Sequence, residues 1–182
     1  HVGCLFRPRR KVLVVDLDDT LWGGIVGEDG VDGIALGEAW PGPAFHAFHR
    51  TLRDLRASGI LLAICSKNEE ADARAVFERR SEIILTWDDF TAYRINWRNK
   101  AENLIELSAE LGLGLDSFVF VDDNPVECAE VQAGCPEVTT INLPDTPGMV
   151  PDFLDNLWIF DRFETTPEDR RRTAMYHAEK QR

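Results

Sequence analysis

The chain has 182 residues, 44% of them hydrophobic, with a formal net charge of −12 and a pI near 4.7. That length fits one domain, expected over residues 1–182, with enough apolar content for a sizeable core. The acidity argues against nucleic-acid backbones and anionic membranes as partners, because both would repel it.

No apolar stretch approaches the roughly 20 residues of a spanning helix. The start, with Arg7, Arg9, Arg10 and Lys11 leading into a core strand, lacks a signal-peptide layout. Cys4, Cys65, Cys128 and Cys135 form no CxxC motif and no zinc spacing. A cytoplasmic protein with reduced thiols is therefore expected. The abrupt His1 start suggests a domain cut from a longer chain.

The most informative string comes first in the chain: Lys11-Val-Leu-Val-Val-Asp-Leu-Asp-Asp-Thr20. A buried strand would deliver Asp16 and Asp18 to the carboxyl edge of a sheet. Both side chains reach one crevice only if the chain leaves strand geometry after Asp16. One carboxylate can then act as nucleophile and the other handle protons. Clustered carboxylates need a cation between them, and Mg²⁺ with its preference for hard oxygen ligands is the natural choice. Asp and Asn also occur at strand ends simply as turn and cap residues.

Residues 23–37 hold six glycines interleaved with Ile25, Val26, Val31, Ile34 and Leu36, a composition that suits a hairpin flap better than a helix. Phe45, Phe48, Leu52 and Leu55 predict a helix over about 42–58, closed by Gly59. Leu61 to Cys65 reads as a strand buried on both faces, and Ser66-Lys67-Asn68 turns it into a helix over about 69–79. A short strand follows at Ile83 to Leu85. Leu104, Leu107 and Leu111 mark a helix from Lys100, and Phe118 to Val121 a strand ending in Asp122-Asp123-Asn124-Pro125. Pro125 opens a helix, and Val138 to Ile141 supplies the last strand. A helical tail over about 151–182 is expected to pack through Met175 and Tyr176 or to extend toward a neighbouring segment. Alternating strands and helices imply an α/β fold with a parallel central sheet, with the crevice at the strands' carboxyl ends.

Strand and helix ends therefore bring together Asp16, Asp18, Cys65, Ser66, Lys100, Asp122 and Asp123. In order and placement they resemble the four motifs of the haloacid dehalogenase (HAD) superfamily. The resemblance implies a three-layer Rossmannoid fold with a minimal cap. It also implies a nucleophilic Asp16, an acid/base Asp18, phosphoryl-holding Ser66 and Lys100, and Mg²⁺ on Asp16, the backbone carbonyl of Asp18, Asp122 and Asp123.

The finer strings, Leu-Trp-Gly-Gly at 21–24, Leu-Leu-Ala-Ile-Cys-Ser-Lys-Asn at 61–68, Arg-Ile-Asn-Trp at 94–97 and the stretch 115–125, are similar to FkbH-like domains. That similarity implies a glyceryltransferase and phosphatase of polyketide biosynthesis. Such an enzyme takes a glyceryl unit from 1,3-bisphosphoglycerate and loads it on the phosphopantetheine arm of an acyl carrier protein. Cys65 would carry the unit as a thioester, its thiolate favoured by Lys67 and the metal. The alternative reading takes Cys65 as a small buried residue closing an apolar strand, and the protein as a plain HAD phosphatase of a small phosphorylated metabolite. Lys67, Arg94 and Asn96 are candidate substrate contacts, although charged loop residues are commonly just solvated. Trp22 and Trp97 could wall the pocket or be core and rim. Thr20 is expected to cap backbone groups, and His46 and His49 to be structural.

Overall fold

The computed structural model describes residues 10–155 and 167–180. Cys4, Arg7 and Arg9 and the middle of the expected C-terminal tail, 156–166, lie outside the described residues. Five strands, β1 (Val12–Val15), β2 (Leu61–Ser66), β3 (Phe90–Ile95), β4 (Phe118–Asp122) and β5 (Thr139–Asn142), form one parallel sheet in the order β3-β2-β1-β4-β5. The first connection leads from β1 to β2 on one side. The chain later crosses to β4 on the other, so strand order reverses about β1.

Helices cover both faces. On one lie α1 (Val26–Gly33), α2 (Gly42–Ala57), α3 (Glu70–Arg79) and α6 (Val150–Asp155), packed on Leu13, Val15, Leu62, Ile64, Val119 and Val121. On the other lie α4 (Lys100–Leu111) and α5 (Pro125–Gly134), packed on Val12, Val14, Leu61, Ala63, Phe118 and Phe120. The period-2 alternation of β1, β2 and β4 thus divides the core into two layers. α4 and α5 approach closely, because a Cβ on Gly134 would stand 2.6 Å from the Ala101 Cβ.

Caps follow local chemistry. The Asn99 side chain accepts from the Ala101 N–H at the start of α4, and Gly112 closes that helix at φ 63°. Asn124 accepts from the Val126 N–H behind the first-turn Pro125 of α5. The C-terminal helix α7 (Pro167–Lys180) docks through Tyr176, whose hydroxyl donates to the Leu111 carbonyl, whereas Met175 is exposed.

Two expected elements differ. The glycine-rich stretch is not a hairpin: Gly23 and Ala35 exchange a pair of backbone hydrogen bonds, and between them runs α1, interrupted at Gly30 with φ 74°. Buried apolar residues here recur at Val26, Ile34 and Leu36 without strand alternation, and the Asp29 carboxylate accepts from the Ile25 N–H, which holds a first helical turn. Ile83 and Leu85 are buried but form no strand. The strand is the following Phe-Thr-Ala-Tyr-Arg-Ile, entered by a 3-10 turn capped reciprocally by Thr86 and Asp89. Arg94 therefore lies in an edge strand rather than a loop.

Candidate active site

β1 and β4 are registered so that Val15 stands beside Val121. One residue further, Asp16 donates its backbone N–H to the Val121 carbonyl at 3.1 Å and stands beside Asp122. By strand parity both acids continue the face of Val12, Val14, Phe118 and Phe120, the face on which α4 packs. The first residue of α4 is Lys100, which is buried. Its ammonium lies 3.2 Å from Asp16 Oδ1 and 2.5 Å from Asp122 Oδ2. Burial works against the Lys100 charge, but Asp16 and Asp122 outweigh it and push its pKa upward.

Asp16, Asp122 and Asp123 each offer an oxygen within 4.8 Å of the others. Burial first, then repulsion from Asp16, pushes Asp122 up to about 6 and Asp123 up to about 7. Asp16 Oδ1 is buried and accepts no hydrogen bond among the described residues, with the Lys100 ammonium 3.2 Å away. Three crowded hard oxygens, one lacking a donor, fit a hard divalent cation. Thr20 and Asn142 hold the metal-side loop, Thr20 by donating its hydroxyl to Asp123 Oδ1 at 3.3 Å and Asn142 by donating to the carbonyls of Asp122 and Asp123. The expected backbone cap by Thr20 is thus a carboxylate contact instead.

The chain leaves β1 through a tight turn in which Thr20 and Leu21 donate to the Leu17 carbonyl and Asp19 adopts φ 52°. Aspartate tolerates that left-handed conformation better than most residues. The turn swings Asp18 away from the three-acid cluster. Its Oδ1 accepts from the Trp22 indole N–H at 2.9 Å and the Val26 N–H at 3.0 Å, and its Oδ2 from the Asn68 amide at 2.7 Å. The Asp18 side chain is therefore not one of the grouped metal oxygens. Burial raises its pKa, and the hydrogen bonds from Val26 and Trp22 act in the opposite direction.

A crevice of about 530 Å³ opens over these groups, lined among others by Asp16, Asp18, Ser66, Lys67, Lys100, Asp122 and Asp123. Three sequence candidates do not belong to it. Arg94 is tied to Glu106 at 3.0 Å and Glu110 at 2.7 Å along α4. Asn96 exchanges two hydrogen bonds with the buried Asn103 and holds the loop before α4. Cys65 is fully buried: Leu61, Ala63 and Cys65 share the face that α4 covers, and the thiol points at the Lys100 carbonyl, 3.9 Å away. Burial pushes that thiol up to about 12, and Lys100 only partly offsets it. The expectation of an open thiolate at the crevice is corrected accordingly. Lys67 lines the crevice but is paired with Glu127 at 2.8 Å and Glu130 at 3.8 Å.

Sequence reasoning missed Asn68, buried at the end of the β2 turn. Its carbonyl oxygen accepts from the Glu69 N–H and so leaves the amide aimed at Asp18. The Ser-Lys-Asn string just before α3 carried that signal as an N-terminal cap pattern. Trp22 is core, yet its N–H reaches the site; Trp97 is an exposed rim residue. His49 is structural, as expected: it is buried and its Nε2 contacts the Leu21 carbonyl at 2.6 Å.

Parallel sheet, flanking helices and strand-end acids define the class: the fold is HAD-like, that of HAD-family phosphatases. Among solved structures, the N-terminal part of the protein BF1531 from Bacteroides fragilis, containing a phosphatase domain complexed with Mg, is 41% identical with a TM-score of 0.80. The match covers 86% of this chain and 41% of that one, so the chain spans about two fifths of its relative. A predicted HAD-like family hydrolase from Porphyromonas gingivalis shares the fold at 12% identity and TM-score 0.58, over 82% of this chain and 98% of that one. So does the cobalt-bound deoxy-D-mannose-octulosonate 8-phosphate phosphatase from Haemophilus influenzae, at 15% and 0.52, over 91% and 90%. No protein-family model and no curated protein matches the chain. No helix among the described residues is long and apolar enough to cross a membrane.

Proposed function

We propose that the chain is a Mg²⁺-dependent phosphatase working through an aspartyl-phosphate on Asp16. The observation that carries this reading is the β1–β4 register, which sets Asp16 beside Asp122 with the Lys100 ammonium in contact with both. Mg²⁺ on Asp16, Asp122 and Asp123, and on the Asp18 carbonyl as the resemblance implies, would offset the repulsion between a carboxylate nucleophile and an anionic phosphoryl group.

In this reading Asp16 forms a bond to phosphorus as the ester oxygen leaves, and that oxygen takes a proton from Asp18. The raised pKa of Asp18 suits it to hold that proton. In the second half, Asp18 takes a proton from water as its oxygen attacks phosphorus, releasing phosphate and restoring Asp16. Ser66 and Lys100, both lining the crevice, would hold the phosphoryl oxygens. Phosphate release from a phosphomonoester panel should need Mg²⁺, stop with chelator and vanish in Asp16→Asn. Release by Asp16→Asn at the wild-type rate would overturn the reading.

The finer expectation, glyceryl transfer from 1,3-bisphosphoglycerate through Cys65 to an acyl carrier protein in the cytoplasm, has one observation in its favour. The sulfur lies on the same sheet face as Asp16 and Asp122, just under the first turn of α4. It would have to emerge from beneath that turn to react, and for this reason we place it second. Incubation with the acyl phosphate and intact-mass measurement separates the two: a glyceryl adduct lost in Cys65→Ala supports transfer, and no adduct removes it.

A further inference from the structure

We propose that the crevice selects phosphomonoesters whose leaving group carries an ammonium, and disfavours those with a second anionic group. The inference rests on the phosphatase reading above and names its substrate class. At the inner end, Asp16 is 7% exposed and lines the crevice, with its Oδ1 buried 3.2 Å from the Lys100 ammonium, and this is where the phosphoryl group reacts in the phosphatase reading. A phosphoryl group seated there directs the rest of the ester outward, toward the rim.

That rim is negative. Nine carboxylates line the crevice against two ammonium groups. Both ammoniums are committed, Lys100 to Asp16 and Asp122, and Lys67 to Glu127 and Glu130. Glu28 of α1, and Glu69 and Asp72 from the start of α3, converge on the rim from two segments, and none of them pairs with a cation among the described residues. Trp97 stands among them, 66% exposed, with its indole N–H donated to Glu69 Oε1 at 2.7 Å. That bond orients the indole while leaving much of the residue open. Carboxylates around an exposed indole suit an alkylammonium through Coulomb attraction and cation–π contact together. A carboxylate or second phosphate in the same place would meet repulsion, with both crevice-lining ammoniums among the described residues already paired, in a crevice whose walls focus the field.

The test uses three matched esters with Mg²⁺ present: 3-aminopropyl, 3-hydroxypropyl and 2-carboxyethyl phosphate. The expected order of kcat/KM is amine, then hydroxyl, then carboxylate, with at least about tenfold between the first and last at low salt, narrowing as salt is added. Glu28→Gln, Glu69→Gln and Asp72→Asn combined should compress that ratio to about twofold. Equal rates for amine and carboxylate, a carboxylate preference, or an unchanged ratio in the triple variant would each overturn the proposal. Calorimetric binding of the same esters to Mg²⁺-loaded Asp18→Asn protein reads the preference without turnover. Hydrolysis of none of the esters with the amine still bound most tightly would count against the phosphatase reading alone; tightest binding of the carboxylate overturns the rim proposal whatever the turnover.

Discussion

The Trp22 indole N–H donates to Asp18 Oδ1 at 2.9 Å, so a tryptophan buried in the core reaches up into the polar crevice. The same oxygen accepts from the Val26 N–H at the start of α1, and Asn68 holds the other. Asp18 is thereby oriented by three separate segments: the turn after β1, α1 and the turn after β2.

Trp22→Phe keeps most of the apolar volume and removes that donor. Hydrogen bonds to charged groups contribute about 1.5–3 kcal/mol. If orientation of Asp18 matters to proton transfer, kcat for phosphate release should fall by about tenfold or more with KM little changed. Asn68→Ala should behave alike, and both are read by steady-state kinetics beside a thermal scan. An unchanged kcat in both variants would show that Asp18 needs neither donor.

Magnesium should stabilise the protein more at high pH. Asp122 and Asp123 have folded pKa values raised to about 6 and about 7, so their protonated forms favour the metal-free fold. That contribution is complete below the ordinary carboxyl range and is lost as pH rises through 6 and 7. The metal then replaces the protons. The rise in Tm with millimolar Mg²⁺ should be several degrees at pH 8 and close to nil at pH 5.5; equal shifts at both would contradict the assigned ligands.

Much of this arrangement was legible in the chain. Val-Leu-Val-Val before Asp16 and Phe-Val-Phe-Val before Asp122 are strands buried on both faces, and once they are parallel neighbours their acids must meet at one edge. Lys100 follows because it opens a helix that covers that face. The burial of Cys65 was not legible, because strand-end position says nothing about what lies over a side chain, and here the first turn of α4 covers it. Arg94 and Asn96 were misplaced for a related reason. Their partners, Glu106, Glu110 and Asn103, sit about one to three turns along α4, where only tertiary packing brings them into reach. The 23–37 segment looked like a hairpin because glycine content does not reveal that Asp18 and Asp29 hold a helical turn there.

Cys65→Ala should leave phosphate release within about twofold of wild type and lower stability by about 1–2 kcal/mol, the ordinary effect of a small cavity in a tight core. With its thiol pushed up to about 12, Cys65 in the folded protein should resist alkylation by iodoacetamide, and react at the rate of a free cysteine only after denaturation. Peptide mapping after timed labelling reads both states. Rapid labelling of the native protein would return the sulfur to the crevice.

Lys100→Met removes the ammonium that faces two buried carboxylates. Breaking a buried pair in this way costs about 3–5 kcal/mol because it leaves charge uncompensated. Without metal the loss should be largest at pH 8 and shrink toward pH 5, where Asp122 takes up a proton. Denaturant melts at the two values, with and without Mg²⁺, measure it. A loss independent of pH would mean the lysine acts through packing alone.

His49 sets the acid side of stability. It lies fully buried in α2, where burial first, and repulsion from His46 and Arg50 after it, lower its pKa from 6.5 to about 4 despite the Leu21 carbonyl. The Ile84 N–H meets Nδ1 at 3.5 Å, so the neutral ring carries its proton on Nε2 and donates it to Leu21. A folded pKa below the unfolded one means the stabilising contribution is complete above 6.5 and is lost as pH falls through 4. The full difference is on the order of 3 kcal/mol. His49→Gln keeps a donor toward Leu21 and carries no titrating group. The difference in unfolding free energy between wild type and this variant should therefore be flat above pH 7 and fall steadily between 6.5 and 4. A difference that stays constant across that window would mean His49 is not held neutral by its burial.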